Sequence, residues 1–270
     1  MMMVGQHTVW TRLNHHQSML LRLHIAPQSR KLSKKHKSSS RQWMDRHLKD
    51  PFVQRAQQDN QLSRSYYKLE YLDQQYDLLP KFNAKKSTHL PIIVDLGASP
   101  GGWTSYVSQQ GEKKGIPYHI VAMDLLDLDP KVAKLPHVQF IQGDFTELQF
   151  PLQQQNDSHS SYQGMTLALP PTGEIQVVLS DMAPNFTGDA RTDAIRTADL
   201  CEQALEWSIK HLQSCGGGRE VFVGKYFSGP EEQNLIQMAK SEFKHVKTVK
   251  PPASRKESSE RYLVAIEKRN

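Results

Sequence analysis

Four aspartates each follow an apolar run of the kind that forms a buried strand. They are Asp95 after PIIV, Asp124 after IVAM, Asp144 after FIQG and Asp181 after VVLS. Because the carboxyl ends of parallel strands meet at the same edge of a sheet, we expect the four carboxylates to line one crevice. Such carboxylates accept hydrogen bonds from a ribose diol or an exocyclic amine, and together they attract a cationic ligand. The alternative for each aspartate alone is to cap the N-terminus of a following helix.

A glycine-rich turn lies beside the first of these aspartates, in VDLGASPGGW at positions 94–103. Its spacing, with Gly97, Gly101 and Gly102, matches neither the dinucleotide fingerprint nor a phosphate-binding loop. Gly97 permits a sharp turn, and the other two clear space for a ligand at the start of a helix. A ligand with a nucleoside end, a cationic centre and no pyrophosphate suits this crevice, and S-adenosylmethionine has that chemistry. The alternative is that the glycines serve close packing of strand and helix.

A lysine ends another apolar run, in FVGKYF, where Lys225 follows Val223 by two residues. Taken singly, Lys225 is a strand-end side chain that reaches towards solvent, Lys68 is one charge on a helix, and Glu260 is one acid in a charged turn. Lys68 stands in the segment RSYYKL, and Glu260 stands in SSERYL.

The elements that must position these residues alternate between strands and helices until the last two strands. This alternation predicts an α/β fold with a mostly parallel sheet, helices on both faces and one antiparallel strand near an edge. Residues 63–79 are predicted to form a helix, with Ser63 or Ser65 as its N-cap and Pro80 as its stop. Strands are predicted in PIIVDLG, YHIVAMD, HVQFIQGDF, EIQVVLSDM, REVFVGKYF, HVKTVKP and RYLVAIEK, and helices in GGWTSYVSQQ, ADLCEQALEWSIKHLQ and EEQNLIQMAKSEF.

The first 44 residues hold eight Lys or Arg and no Asp or Glu. They carry the excess positive charge, because the rest of the chain has 26 basic against 28 acidic residues. Residues 1–40 are therefore predicted to be a mitochondrial transit peptide, or alternatively a disordered basic arm that contacts RNA. Residues 41–270 are predicted to be the folded domain, with a helical segment at 41–80 and a Gln-, Ser- and Pro-rich inserted loop at 151–173.

Composition also excludes some classes of protein. Two cysteines in 270 residues supply neither a disulfide framework nor a four-ligand zinc site, and no metal site is predicted. No apolar run of about 18 residues is present, so we expect no membrane span.

Six segments, in order and context, resemble the FtsJ/RrmJ family of RNA ribose 2′-O-methyltransferases. They are RSYYKL, VDLGASPGGW, QGDF, SDMAPNFTG, FVGKYF and RKESSERYLVA. The resemblance runs from about Ser40 to Glu267. It implies a Rossmann-like fold with seven strands, the last inserted antiparallel, and S-adenosylmethionine as the methyl donor. It also implies a catalytic tetrad of Lys68, Asp181, Lys225 and Glu260, and cofactor contacts from Pro100, Gly101, Gly102, Trp103, Asp124, Asp144 and Asp181.

Methyl transfer to a ribose hydroxyl requires alignment of the reactants and activation of a weakly acidic O–H group. In the assignment that the resemblance implies, Lys225 accepts the hydroxyl proton, for which its pKa must be lowered by burial or by a second cation such as Lys68. The carboxylates of Asp181 and Glu260 would instead raise the pKa of Lys225. The alternative role is therefore that Lys225 remains protonated and stabilises the developing alkoxide. Gly224 departs from the bulkier residue of the family and is expected to loosen the strand end.

The segment RQWMDRHLKDPFVQRAQQ resembles the ribosomal branch of the family. With the N-terminal tail, it predicts a monomeric enzyme of the mitochondrial matrix that methylates a uridine in large-subunit rRNA, as free rRNA or an assembly precursor. The alternatives are a cytosolic tRNA methyltransferase of the same family and a ribosome-assembly factor whose RNA binding matters more than its chemistry. The residues predicted to contact RNA are Arg46, Lys49, Arg55, Arg64, Arg255, Lys256 and Arg261.

Overall fold

A seven-stranded sheet organises the computed structural model. Its strands are β1 Ile92–Leu96, β2 His119–Asp124, β3 Val138–Gln142, β4 Ile175–Ser180, β5 Val221–Phe227, β6 Phe243–Val249 and β7 Glu260–Lys268. They lie in the order β3-β2-β1-β4-β5-β7-β6. Strand β7 is antiparallel to both neighbours, and the other pairs are parallel. The predicted fold class is confirmed.

The structure describes residues 48–81, 90–116, 118–147, 174–213 and 219–269. All of them belong to one unit, Trp43–Asn270. The predicted tail at 1–40 and the predicted insertion at 151–173 lie outside the described residues.

Six helices in the described ranges flank the sheet. They are α1 Pro51–Gln58, α2 Ser65–Tyr76, α3 Gly102–Lys114, α4 Pro130–Ala133, α5 Ala190–His211 and α6 Glu232–Glu242. Among these helices, none is both long and apolar enough to cross a bilayer.

Two hydrophobic cores, one on each face, explain why the central strands are continuous apolar runs. Successive side chains of a strand point to opposite faces. On β1, Ile92 and Val94 pack with residues of α5 and α6, whereas Ile93 packs with residues of α2 and α3. Strands β1 and β4 are buried along their whole length, as expected of parallel strands covered by helices on both sides. The core therefore fixes the strand ends, where the candidate functional residues lie.

Both ends of helix α2 differ from the prediction. Its N-cap is Arg64, and no side chain caps the helix, so neither predicted serine is the cap. Pro80 is not the stop either, because Asp77 already adopts the left-handed conformation with φ 52°. The Asp73 carboxylate accepts the backbone N–H groups of Leu78 and Leu79 at 2.9 and 3.0 Å. This side chain, rather than the proline, redirects the backbone after the helix.

The expectation that Gly224 loosens the end of β5 is wrong. Gly224 pairs with Ser180 of β4 and Leu263 of β7, and β5 continues to Phe227. A Cβ atom at Gly224 would lie 2.5 Å from the Phe222 ring and 2.7 Å from Cys201 Sγ. These two side chains already fill the space, so the glycine allows close packing of β5 against α5.

Candidate active site

The four residues of the predicted tetrad converge although they lie far apart in sequence. Lys68 comes from α2, Asp181 follows β4, Lys225 lies on β5 and Glu260 begins β7. Lys68 Nζ lies 2.9 Å from Glu260 Oε2 and 3.7 Å from Asp181 Oδ1. Lys225 Nζ lies 3.1 Å from Asp181 Oδ1 and also donates to the Asp181 main-chain oxygen. Asp181 therefore joins the two lysines.

The two short ion pairs divide the tetrad into an inner pair, Lys68 and Glu260, and an outer pair, Lys225 and Asp181. All four side chains are largely covered, and those of Glu260 and Lys225 are equally exposed, at 10%. The Asp181 side chain is the most accessible of the four, at 16%. Asp181 is therefore the member most open to a substrate, and Lys225 adjoins it.

Tyr262 is a fifth member of the cluster that the sequence reasoning missed. Its hydroxyl accepts a hydrogen bond from Lys68 Nζ at 3.0 Å and donates one to Asp181 Oδ1 at 2.6 Å. Burial, together with the carboxylates of Asp181 and Glu260, raises the pKa of Tyr262 well above its ordinary value. The phenol therefore stays a donor to Asp181. The signal was its position two residues after Glu260, which puts both side chains on one face of a strand.

Glu260 is held from its other side by the preceding loop. Ser254 Oγ donates to Glu260 Oε1 at 2.5 Å, while the Glu260 backbone N–H donates to Ser258 Oγ at 3.2 Å. With Lys68 on Oε2, both carboxylate oxygens of Glu260 have a partner. A carboxylate fixed in this way orients the Lys68 ammonium group towards Asp181.

The cluster is balanced in charge, with two lysines and two carboxylates. Burial would raise the pKa of Asp181, but the ammonium groups of Lys225 and Lys68, with the Tyr262 hydrogen bond, hold it below its ordinary value. Asp181 therefore remains a carboxylate at neutral pH and keeps the two lysines close despite their like charge.

The Trp103 side chain packs inside the protein, so the cofactor contact predicted for its turn stays a prediction for the backbone there. The indole is buried, donates from Nε1 to the Ser65 main-chain oxygen at 2.9 Å, and packs on Tyr262 at 5.7 Å between ring centroids. It thereby ties the start of α3 to α2, which carries Lys68, and to β7. The Trp103 side chain is a support of the tetrad.

The glycine turn is closely packed, as the alternative reading of the sequence expected. Gly97 and Gly101 have φ of 74° and 118°, where a side chain would be strained. A Cβ at Gly101 would lie 2.9 Å from Val132, and one at Gly102 would lie 2.5 Å from Ser65 Oγ. Protein atoms therefore occupy the space beside these glycines, and a ligand can approach only the side of their backbone that faces away from Val132 and Ser65. Pro100, between Gly97 and Gly101, is exposed.

Asp124 and Asp144 lie at the carboxyl ends of β2 and β3, as predicted. Asp124 accepts the backbone N–H groups of Ser99 and Leu126, each at 2.8 Å, one on each oxygen. Asp144 Oδ1 accepts both the N–H and the hydroxyl of Thr146. Asp144 thus caps the short helical turn Phe145–Glu147, which is the predicted alternative, whereas Asp124 links its own loop to the glycine turn through Ser99. A carboxylate has about four acceptor sites, so both retain capacity for ligand hydroxyl or amine groups.

The surface beside Asp124 adds an apolar feature to this crevice. Leu125 and Leu126 are each 68% exposed, the largest exposed fractions of any large hydrophobic side chains in the described ranges. A carboxylate next to exposed aliphatic side chains suits a nucleoside, whose ribose is polar and whose base has an apolar face. The carboxylate acceptors and the apolar side chains of this crevice therefore fit S-adenosylmethionine.

Asp95 is not open to the crevice. It is 1% exposed, its Oδ2 accepts the Thr104 hydroxyl at 2.7 Å, and its Oδ1 has no partner within the described ranges. Burial, with smaller contributions from the carboxylates of Asp181 and Asp124, raises the pKa of Asp95 to about 7 against the opposing Thr104 hydrogen bonds. Asp95 is a buried acid at the base of the site.

This pKa predicts a pH-dependent stability. The unfolded carboxyl has a pKa near 3.8, so between about pH 4 and pH 7 the folded protein keeps a proton that the unfolded chain has lost. The contribution of Asp95 to the free energy of unfolding therefore falls as the pH rises through this window. The free energy of unfolding of Asp95→Asn, minus that of the wild type, should therefore increase by about 1–3 kcal/mol from pH 5 to pH 8. Urea unfolding at a series of pH values measures this difference. The exposed Asp199→Asn should show no such gain, and an equal gain in both variants would contradict the prediction.

Three of the predicted RNA contacts instead make ion pairs within the protein. Arg64 and Arg255 lie 2.7 and 3.7 Å from Asp50, and Arg55 pairs with Asp59 and Glu70. The Arg55 pairs are exposed and therefore weak, whereas Asp50 is largely covered in its pairs with Arg64 and Arg255. Lys49 and Lys256 are exposed, Arg261 is half-buried, and Arg46 lies outside the described residues.

The chain is similar to known methyltransferases in sequence and in fold. Residues 61–268 match the family model described as FtsJ-like methyltransferase. The chain is 39% identical to "Ribosomal RNA large subunit methyltransferase E" of Rickettsia akari (strain Hartford), over 88% of this chain and 93% of the relative. It is 38% identical to the protein of the same name from Acidiphilium cryptum (strain JF-5), over 87% and 89%. A solved structure of a proposed ribosomal RNA methyltransferase from Plasmodium falciparum shares the fold, with a TM-score of 0.54 and 22% identity over 76% of this chain and 97% of that one.

Proposed function

The chain belongs to the FtsJ-like methyltransferase family, and from this premise we propose that it methylates the ribose 2′-hydroxyl of an RNA. The observation that carries the proposal is the inner and outer pairing of the tetrad. Lys225 and Asp181 form an ion pair near the carboxyl ends of adjacent strands, and Lys68 and Tyr262 also contact Asp181, while Glu260 holds Lys68.

The residues of the site perform distinct parts of this reaction. S-adenosylmethionine, held by the backbone of the glycine turn, Asp124 and Asp144, supplies an electrophilic methyl group when bound. Lys225 Nζ is the group that a ribose hydroxyl meets. In its amine form it would accept the hydroxyl proton, and in its ammonium form it would stabilise the developing alkoxide. The Asp181 carboxylate, 3.1 Å from Nζ, stabilises the ammonium group. Lys68 and Tyr262 keep Asp181 ionised and immobile, so no charge must reorganise during the reaction.

The proposed substrate is a uridine in the large-subunit rRNA of mitochondria. The relatives with 38% and 39% identity, named as large-subunit rRNA methyltransferases, support the rRNA. The acid-free basic composition of residues 1–44 supports the mitochondrial matrix. We further propose that the enzyme acts as a monomer, on free rRNA or an assembly precursor, and so supports assembly of the large subunit.

The test compares rRNA from cells that express the wild type, a Lys225→Ala variant or no protein. Mass spectrometry of large-subunit rRNA should show one ribose methylation that disappears in the variant and in the deletion. Loss of a tRNA methylation with unchanged rRNA would replace the proposal with the tRNA alternative. Defective subunit assembly in the deletion, with normal assembly in the variant, would assign the main role to RNA binding.

The location requires a separate experiment. Residues 1–44 fused to a fluorescent protein should bring it to mitochondria, and the same segment with its eight Lys and Arg changed to Gln should not. Diffuse fluorescence from the unmodified fusion would contradict the mitochondrial proposal.

A further inference from the structure

Two phenylalanines outside the tetrad form an aromatic pair, the exposed Phe186 and the half-buried Phe227. Their rings are nearly parallel, with 5.4 Å between centroids and 13° between planes. Phe186 is 57% exposed, so much of its surface faces solvent. An exposed phenylalanine is ordinary by itself. Here, however, the ring is stacked on a second one, and both rings lie on the segments that carry Lys225 and Asp181.

The aromatic pair lies beside the outer pair of the tetrad. Phe227 is two residues after Lys225 on β5, so both side chains point to the same face of the sheet. Phe227 is also directly opposite Glu260 on β7. Phe186 follows Asp181 by five residues in the loop after β4. Each ring thus belongs to the same segment as one member of the outer pair.

The loop that carries Phe186 is held on both sides of this residue. Before it, the Asn185 main-chain oxygen accepts from Arg196 Nη1 at 3.0 Å. After it, the buried Asp193 carboxylate accepts the N–H groups of Thr187 and Gly188 at 2.7 and 3.1 Å. The Thr187 N–H, together with the other donors of this turn, holds the pKa of Asp193 below its ordinary value, so these bonds persist at neutral pH. Helix α5 therefore presents the Phe186 ring outward in a fixed position.

We propose that the aromatic pair is a stacking platform for an unpaired base of the substrate RNA next to the reacting ribose. Side chains that face an unpaired nucleotide bind its base by stacking on aromatic rings, since every base has a flat π-face. A base stacked on Phe186 is anchored beside Lys225 and Asp181, which limits the positions open to its ribose. This inference rests on the proposed function and adds to it a means of positioning the substrate.

The experiment compares Phe186→Leu, which keeps the apolar volume but loses the flat ring, with Phe186→Trp, which restores a ring. Methylation of large-subunit rRNA by Phe186→Leu should show a KM raised about tenfold with kcat within about twofold, and Phe186→Trp should return KM to near the wild-type value. Phe140→Leu, on the edge strand β3, is the matched control and should leave KM unchanged. S-adenosylmethionine affinity, measured by calorimetry, should be equal in all four proteins.

A second readout separates this inference from the proposed function. A single-stranded RNA oligonucleotide that carries 2-aminopurine should lose fluorescence on binding the wild type and Phe186→Trp, and retain more of it with Phe186→Leu. This result would support the platform even if the wild type methylated no rRNA and the proposed function failed. Equal KM and equal fluorescence in the wild type and Phe186→Leu would overturn the platform and would leave a protein-binding surface as the explanation of the exposed rings.

Discussion

Replacing Lys225 with methionine is expected to lower kcat for RNA methylation by at least about 10²–10⁴-fold, the range typical of a lost acid–base group. Methionine keeps much of the aliphatic volume at the end of β5 but removes the nitrogen that lies 3.1 Å from Asp181 Oδ1. Single-turnover methylation of rRNA with radiolabelled S-adenosylmethionine measures the effect. Lys240→Met, an exposed lysine on α6, is the control and should retain wild-type activity.

Lys225→Arg distinguishes the two roles considered for this lysine. Arginine keeps a positive charge but does not release a proton in proteins, so it cannot accept one from a hydroxyl. If Lys225 accepts the proton, Lys225→Arg should be as inactive as Lys225→Met. Activity of the arginine variant within about tenfold of the wild type would instead assign stabilisation of the developing alkoxide to Lys225.

The second large effect is expected on stability. Glu260→Gln leaves the Lys68 ammonium group buried without the carboxylate 2.9 Å away, and we expect a loss of about 3 kcal/mol in the free energy of unfolding. The double variant Lys68→Met/Glu260→Gln removes both charges and should recover most of this loss, because no buried charge is left uncompensated. Chemical unfolding monitored by tryptophan fluorescence measures both. Both variants should lose activity, since Lys68 is no longer oriented towards Asp181 in the first and lacks its ammonium group in the second.

The control for this cycle is a surface pair of the same chemistry. Lys244 and Glu267 lie 3.5 Å apart, and their side chains are 55% and 32% exposed, far more than those of the inner pair. Glu267→Gln should change the free energy of unfolding by less than about 1 kcal/mol. A loss as large as that of Glu260→Gln would show that burial of the inner pair is not the cause. A double variant as unstable as Glu260→Gln would likewise contradict the argument from uncompensated charge.

The sheet was predictable from the sequence because parallel strands covered on both faces appear as continuous apolar runs. The tetrad could be assigned through its motifs, although no spacing along the chain brings Lys68 near Glu260. What could not be predicted depends on packing between distant segments. Tyr262 resembles any aromatic residue of a strand until its hydroxyl lies between Lys68 and Asp181. The contact of the Trp103 indole with the Ser65 main-chain oxygen likewise depends on a segment distant in sequence.

Local hydrogen bonds explain the errors at helix ends. The start of α5 at Ala190 precedes the predicted segment by eight residues, because Asp189 caps the helix through the Thr192 N–H at 2.7 Å. Similarly, α2 stops at Asp77 before Pro80. Both ends depend on one side chain in a specific rotamer, and hydrophobic periodicity carries no information about that choice.

The placement of β7 has a consequence for the order in which the enzyme is completed during synthesis. Although β7 follows β6 in the chain, it lies between β5 and β6, so β6 has no strand of this sheet to pair with until β7 has been made. The same segment brings Glu260 and Tyr262. Closure of the gap in the sheet and assembly of the cluster around Asp181 are therefore one event, which requires β7.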